Sequence, residues 1–334
     1  MKKTKKKARE PKNRKTKKLK NSKPANRQTG EATAKSRPNR GKPIPPKIFL
    51  NGKLVESENA KISVFDHGLL YGDGVFEGIR VYERLIFKLK EHIDRLYASA
   101  HAIMLEIPLG KRQLVDAIIK TLKTNGMNDA YIRVIVTRGA GDLGLDPRKC
   151  KGNATVIVIA DNIALYPEKF YKDGLAIVTV PTRRDIPEGI SPQIKSLNYL
   201  NNIMAKIEAI NAGVEEAIML NQDGFVAECT GDNIFAVKNQ TLMTPPVHVG
   251  ILKGITRDAV IDLANKAKIP FKEEIMTRYD LYNADECFLT GSAAEIVPVV
   301  KIDGRTVSVG KPGPVTQRLL RDFHLLTKID GVRY

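Results

Sequence analysis

Gln193-Ile194-Lys195-Ser196-Leu197-Asn198-Tyr199-Leu200-Asn201-Asn202 holds the residue that organises the rest of the chain. A strand-like stretch, Leu175 to Arg183, precedes it, and an apolar-periodic helix starts at Leu200. A lysine at such a junction is expected to point into the protein, where its amine can act as a nucleophile or a base. Further along stand Glu228, within Ala227-Glu228-Cys229-Thr230-Gly231-Asp232-Asn233, and two turns suited to anions. These are Gly254-Ile255-Thr256-Arg257 and Thr290-Gly291-Ser292-Ala293.

The chain has 334 residues, enough for two domains with apolar cores. Its net charge of +18 suggests a nucleic-acid partner until it is divided by region. Residues 1–47 carry 19 Lys+Arg against 2 Asp+Glu, a net of +17, so the remainder is near neutral at +1. The basicity belongs to a tail (residues 1–46) with almost no large apolar side chains. Such a segment cannot offset its chain entropy by burial and is expected to be disordered. It has neither the apolar core of a secretory signal nor the amphipathic pattern of a transit peptide. Weak, salt-sensitive attraction to polyanions is the property expected of it. Cys150, Cys229 and Cys287 are far apart and form no CxxC pair, which argues against a zinc site or a disulfide framework. No apolar run reaches membrane-spanning length. The expectation is a cytoplasmic protein with no membrane contact.

The pattern of elements predicts an α+β / α/β fold in two parts. Ile48 to Val55 reads as a hairpin turning at Asn51-Gly52. Val75 to Glu83 and Leu85 to Leu89 read as a second. Amphipathic helices are expected over Glu91–Met104 and Lys111–Thr124, and strongly apolar strands over Tyr131–Thr137 and Ala154–Ala160. This places a small N-terminal domain over 47–165, a linker over 166–174 and a larger domain over 175–334. The second part mixes strands (Leu175–Pro181, Ala217–Leu220, Ile234–Val237, Cys287–Thr290) with helices near Leu200–Ala212 and Thr256–Ala267.

Each motif has a bland reading beside the chemical one. Gly139-Ala140-Gly141-Asp142-Leu143-Gly144 matches GxGxxG, but Leu145-Asp146-Pro147 follows where a dinucleotide site needs a helix. A loop over a binding site is the expectation. Thr256 stands where an N-cap should be, and the free amides of that helix end suit a phosphate. Small residues at 290–293 let backbone amides approach a ligand. Glu228 follows an expected hairpin turn at Asn221-Gln222-Asp223-Gly224. The five histidines show no metal spacing, and no carboxylate pair marks a site. Taken singly, these signals are ordinary. Taken in order, one amine, one carboxylate and two anion cups supply what pyridoxal phosphate needs: an imine-forming lysine, a partner for the ring nitrogen and a phosphate site.

At this point the residues resemble a known family, the fold-type IV pyridoxal-phosphate enzymes, and within them the branched-chain amino acid aminotransferases. The likeness runs from about Ile48 to beyond Pro298. It rests on Tyr71-Gly72-Asp73-Gly74-Val75-Phe76-Glu77-Gly78-Ile79-Arg80, Glu91 to Leu96, Tyr131-Ile132-Arg133, Lys195 to Asn202, Glu228 to Phe235, Gly254 to Asp258 and Gly291 to Ile296. The resemblance implies a two-domain architecture with pyridoxal 5'-phosphate between the domains. Lys195 would carry the cofactor covalently and shuttle the proton. Glu228 would pair with the ring nitrogen and Tyr199 with the ring hydroxyl. Arg95, Ile255, Thr256 and Ser292 would hold the phosphate. Tyr131, Arg133 and the amides at Ser292 and Ala293 would hold substrate carboxylates. Tyr71 would complete the cavity of a partner subunit in a homodimer or larger homo-oligomer.

The implied reaction is transfer of the amine of L-leucine, L-isoleucine or L-valine to 2-oxoglutarate. D-amino acid aminotransferases share the lysine, the glutamate and the Leu252-to-Asp258 string. They usually carry an Arg-x-His carboxylate trap after the Tyr131 strand, where this chain has the glycine-rich 139–147 loop. Aminodeoxychorismate lyase is a third member of the group. A reading from another class is a nucleic-acid-binding protein acting through the tail.

Overall fold

Asn51 and Gly52 both take positive φ, 47° and 88°, so the expected Asn-Gly turn joins the first hairpin. The computed structural model describes residues 45–152, 154–163, 166–185 and 189–334; the basic segment up to Ile44 lies outside them. Six strands follow from the first half of the sequence: β1 (Lys47–Leu50), β2 (Lys53–Glu56), β3 (Gly74–Tyr82), β4 (Leu85–Phe87), β5 (Ala130–Thr137) and β6 (Thr155–Asp161). They pair antiparallel throughout. Three helices accompany them: α1 (His67–Tyr71), α2 (Leu89–Ala102) and α3 (Lys111–Thr124). The second hairpin strand stops at Phe87, and Leu89 already opens α2. Ile79, Leu96, Leu114, Ile118 and Val134 are fully buried between this sheet and α2 and α3. Each such side chain contributes about 1.5–3 kcal/mol of burial.

A second sheet holds nine strands, β7 (Leu175–Thr179), β8 (Glu216–Leu220), β9 (Val226–Cys229), β10 (Asn233–Lys238), β11 (Thr241–Thr244), β12 (Phe271–Glu273), β13 (Glu286–Gly291), β14 (Glu295–Ile302) and β15 (Arg305–Thr306). Its main path runs β12-β11-β10-β13-β14-β7-β8-β9, and β15 pairs β14. The helices here are α4 (Glu168–Asp173), α5 (Leu200–Asn211), α6 (Ile255–Lys266), α7 (Arg278–Tyr282) and α8 (Pro314–Leu326). The chain then returns to the first sheet, where β16 (Gly331–Arg333) pairs β4. Strands up to Asp161 therefore lie in one sheet and those from Leu175 to Thr306 in the other, with the last strand crossing back. We propose that the two sheets are the cores of two domains. Leu85 and Phe87 of β4 pack with Phe235, Phe288 and Phe323 in one buried cluster, so apolar contacts run from sheet to sheet. Cys150, Cys229 and Cys287 are free thiols. Among the described residues no helix is long and apolar enough to cross a membrane.

Candidate active site

The Lys195 segment is held from both sides. Lys195 N donates to Ser99 Oγ of α2 at 3.2 Å, Phe76 N donates to Lys195 O at 2.9 Å, and Leu197 N donates to Gly74 O at 2.9 Å. Residues 195–197 thus run beside β3 as a short extra pairing, and α5 begins three residues later. These bonds fix the backbone from which the Lys195 side chain projects. Lys195 Nζ donates to Tyr199 Oη at 3.1 Å and lies 4.7 Å from the centre of the Phe76 ring. It has no carboxylate partner among the described residues.

These groups face a cavity of about 550 Å³. Arg95, Tyr131, Arg133, Lys195, Tyr199, Ile255, Thr256, Ser292 and Ala293 all line it, so residues from both halves of the sequence meet there. Glycine makes room where the walls come close. A Cβ on Gly78 would sit 1.8 Å from the Tyr131 hydroxyl, and one on Gly254 would sit 2.0 Å from Asn233 Oδ1. The 139–147 loop carries no dinucleotide helix; it contributes nothing to this lining and instead packs on α1, with Gly144 N donating to Tyr71 Oη at 2.9 Å. Tyr71 is also absent from the lining and stands partly exposed against His67.

Backbone and side-chain donors gather at one end of the cavity. Thr256 is not the N-cap of α6; Gly254 is, with no side-chain hydrogen bond. The Asn233 amide occupies the space that a capping side chain would need, so the first-turn amides are left for a ligand. Arg95 adds a fixed cation. Its Nε and Nη2 donate to Glu77 Oε1 and Oε2 at 2.6 and 2.9 Å, and its Nη1 donates to Lys253 O at 2.9 Å. His92 Nδ1 lies 2.8 Å from Glu77 Oε2. Burial alone would raise the Glu77 carboxyl, but Arg95 and His92 outweigh it and hold the group at about 2. Burial pushes the His92 imidazole down, against the pull of Glu77. Thr290 Oγ1, at the same wall, is buried with no partner.

Glu228 sits behind this wall and does not line the cavity. It accepts from Arg184 Nε at 2.7 Å, Asn233 Nδ2 at 3.1 Å and Leu252 N at 3.1 Å. Three donors leave one of the roughly four lone-pair sites of a carboxylate for another partner. Burial pushes the Glu228 carboxyl up, and Arg184 opposes this by favouring the charged form. Arg133 stacks over Phe76 and Tyr131, 4.7 and 5.5 Å from their ring centres, and has no carboxylate partner among the described residues.

The sequence reading did not find Glu77, His92 or Arg184. It also found no carboxylate pair, yet Glu216 and Asp232 both line the cavity within reach of the Tyr166 hydroxyl. Glu77 had one signal: an acid inside the apolar run Val75-Phe76-Glu77-Gly78-Ile79. The others become neighbours only through tertiary packing of segments far apart in sequence.

The Amino-transferase class IV family matches residues 74–302. A Methanocaldococcus jannaschii protein named "Putative branched-chain-amino-acid aminotransferase" is 56% identical over 277 residues, 83% of this chain and 95% of that protein. The Escherichia coli K12 branched-chain-amino-acid aminotransferase is 36% identical over 287 residues, 83% of this chain and 91% of that one. A crystal structure of the E. coli enzyme superposes with a TM-score of 0.83 at 35% identity, covering 87% of this chain and 97% of that chain. A T.th. branched-chain amino acid aminotransferase, solved with pyridoxamine 5'-phosphate, gives 0.81 at 38% identity, covering 85% and 95%. A shared fold, the matched segment and these identities lead to one statement: this chain belongs to the class IV amino-transferase family.

Proposed function

We propose that this protein transfers the amino group of L-leucine, L-isoleucine or L-valine to 2-oxoglutarate with pyridoxal 5'-phosphate as cofactor. The observation that carries the reading is Lys195 Nζ, held at 3.1 Å from the Tyr199 hydroxyl with no acidic partner among the described residues, in a cavity that Arg95, Thr256 and Ser292 also line. The walls fit the cofactor. An amine, a hydroxyl beside it, and the helix amides with Arg95 match its aldehyde, ring hydroxyl and phosphate. When bound, the cofactor supplies a carbon that accepts the amine and a ring that spreads the charge left at the substrate Cα.

The chain's own residues do the rest. Arg95, the amides of Ile255 and Thr256 and the Ser292 hydroxyl would hold the phosphate. Glu228, kept in place by Arg184 and Asn233, would present a negative charge to the ring nitrogen. Tyr199 orients Lys195 Nζ. Lys195 Nζ would be the covalent anchor and then, as a free amine, would take the proton from Cα and return one on the other side of the transfer. The amides of Ser292 and Ala293 and the Tyr131 hydroxyl would receive the α-carboxylate. Arg133, beside the Phe76 and Tyr131 rings, would meet the side-chain carboxylate of 2-oxoglutarate while Phe76 and Ile135 receive an aliphatic chain. Arg133→Met tests this division. It should raise the KM for 2-oxoglutarate by about 10²-fold, as loss of a charge-assisted contact does, and leave the KM for L-leucine within a few-fold. Equal effects on both would refute the assignment.

Exposed apolar side chains gather on α1 (Leu69, Leu70, Tyr71) and along one face of α5 (Leu200, Ile203, Met204, Ile207, Ile210). Ile203 also lines the cavity, so this surface borders the site. A second copy of the chain would cover it and bring a Tyr71 to the neighbouring cavity. Sedimentation should then give at least twice the chain mass; a monomer would refute it.

A further inference from the structure

One side of the cavity has been given no role in the steps described above. Tyr166, Glu216 and Asp232 line it. The Tyr166 hydroxyl lies 3.2 Å from Asp232 Oδ2 and 3.4 Å from Glu216 Oε2. One O–H can donate to only one of them at a time. Glu216 is otherwise well supplied: its Oε1 accepts from Ala217 N at 2.7 Å and Thr230 N at 3.0 Å, and Lys206 Nζ of α5 lies 3.7 Å from Oε2. Asp232 has only the Tyr166 hydroxyl among the described residues. Two buried carboxyls this close do not both ionise readily. The donors assign the charge to Glu216 and the proton to Asp232.

Asp232 also touches the anion-binding turn. A Cβ on Gly291 would lie 2.1 Å from Asp232 Oδ1, so this oxygen packs directly on the Gly291 backbone. Gly291 leads into Ser292 and Ala293. A neutral carboxyl there leaves the field of those amides intact; an ionised one sets a negative charge beside an incoming carboxylate. A second observation marks the same wall as a ligand surface: the buried Thr290 hydroxyl that lacks a partner.

We propose that Asp232 is a positioning residue for the substrate carboxylate: it shares one proton with Glu216, and an anion bound at the Ser292–Ala293 turn holds that proton on the pair. This rests on the reading that the turn receives substrate carboxylates. The charged and titratable groups facing Asp232 are Glu216 on β8, Lys206 on α5, Tyr166 before α4, Tyr171 on α4, and Cys229 and Glu228 on β9. Burial first, and then the charge of Glu216, raise the Asp232 carboxyl to about 7. Burial raises the Tyr166 hydroxyl far above its ordinary range, so it stays a donor. The sign follows. Below about pH 7 the pair keeps its proton and an anion binds well; above it, binding must bring a proton along. The affinity then falls by up to about tenfold per pH unit.

The experiment is calorimetric titration of the holoenzyme with 4-methylvaleric acid from about pH 6 to about pH 9, bracketing the raised carboxyl, in two buffers of different ionisation enthalpy. Wild type should take up close to one proton per ligand above about pH 7, with Kd rising accordingly. Asp232→Asn is neutral at every pH and should lose that uptake and show a flat Kd. Glu216→Gln removes the charge that raises Asp232, so weakening should begin at lower pH. Asp232→Asn with the uptake and Kd profile of wild type would overturn the proposal. Should that variant fail to fold, an unchanged onset in Glu216→Gln overturns it equally. Absence of branched-chain transamination in wild type would instead remove the functional reading, while carboxylate binding and its proton could still be measured.

Discussion

Lys195→Ala is expected to abolish amine transfer while leaving the protein folded. The backbone of this segment is held by bonds that alanine keeps, to Ser99, Phe76 and Gly74. The side chain contributes one hydrogen bond, to Tyr199, and contacts with two aromatic faces. Its removal should therefore cost no more than about 1 kcal/mol, the typical effect of a point substitution. The effect on rate is far larger. A positioned proton carrier alone is worth roughly 10²–10⁴-fold, and loss of the covalent anchor adds to it. Melting curves should nearly superimpose, turnover should fall to background, and the visible-edge absorbance of the covalently held cofactor should vanish. A fully active alanine variant would remove Lys195 from the mechanism.

Glu77→Gln should give the largest loss of stability. Glu77 is fully buried and serves two partners, the Arg95 guanidinium and His92. Removing the charge leaves Arg95 facing the cavity without its counter-ion, a change that costs about 3–5 kcal/mol when a buried pair is broken. The pH dependence has a definite sign. Glu77 is held at about 2 in the folded protein against 4.5 ordinarily. Its contribution is therefore complete above pH 4.5 and disappears as the pH falls towards 2. Chemical denaturation should show a large gap between wild type and variant near neutral pH and a shrinking gap below pH 4.5. Cofactor affinity should fall as well, because Glu77 is what aims Arg95 and ties it to Lys253. A variant as stable as wild type near neutral pH would contradict the ion-pair argument.

The parts of the site that were legible are those written locally. Lys195 stands out at its strand–helix junction, and the Asn51-Gly52 turn and helix Lys111–Thr124 follow from short-range pattern, whereas Tyr199 was given only by the family resemblance. Thr256 was misplaced as a cap because hydroxyl residues usually fill that position; here Asn233, far upstream at the start of β10, fills the space, and only Gly254 fits. Glu77 and Arg95 meet because α2 packs on β3, a relation that no spacing in the sequence encodes. Glu216 and Asp232 meet through the β8–β9 hairpin, whose register sets Met219 opposite Glu228. Arg184 reaches Glu228 across 44 residues. Helix α8 did carry readable signals, Pro314 in its first turn after Gly313 and buried Leu319 and Phe323 on one face. Strand β16 had none; it is three exposed residues paired to β4.

One assay decides whether branched-chain amine transfer takes place at Lys195. Purified protein loaded with pyridoxal 5'-phosphate is given 2-oxoglutarate with L-leucine, L-isoleucine, L-valine or D-alanine, and glutamate is measured. The cavity around Lys195 predicts glutamate from each of the three branched L-amino acids and background from D-alanine. Glutamate formed from D-alanine alone, or from none of the four, would contradict it.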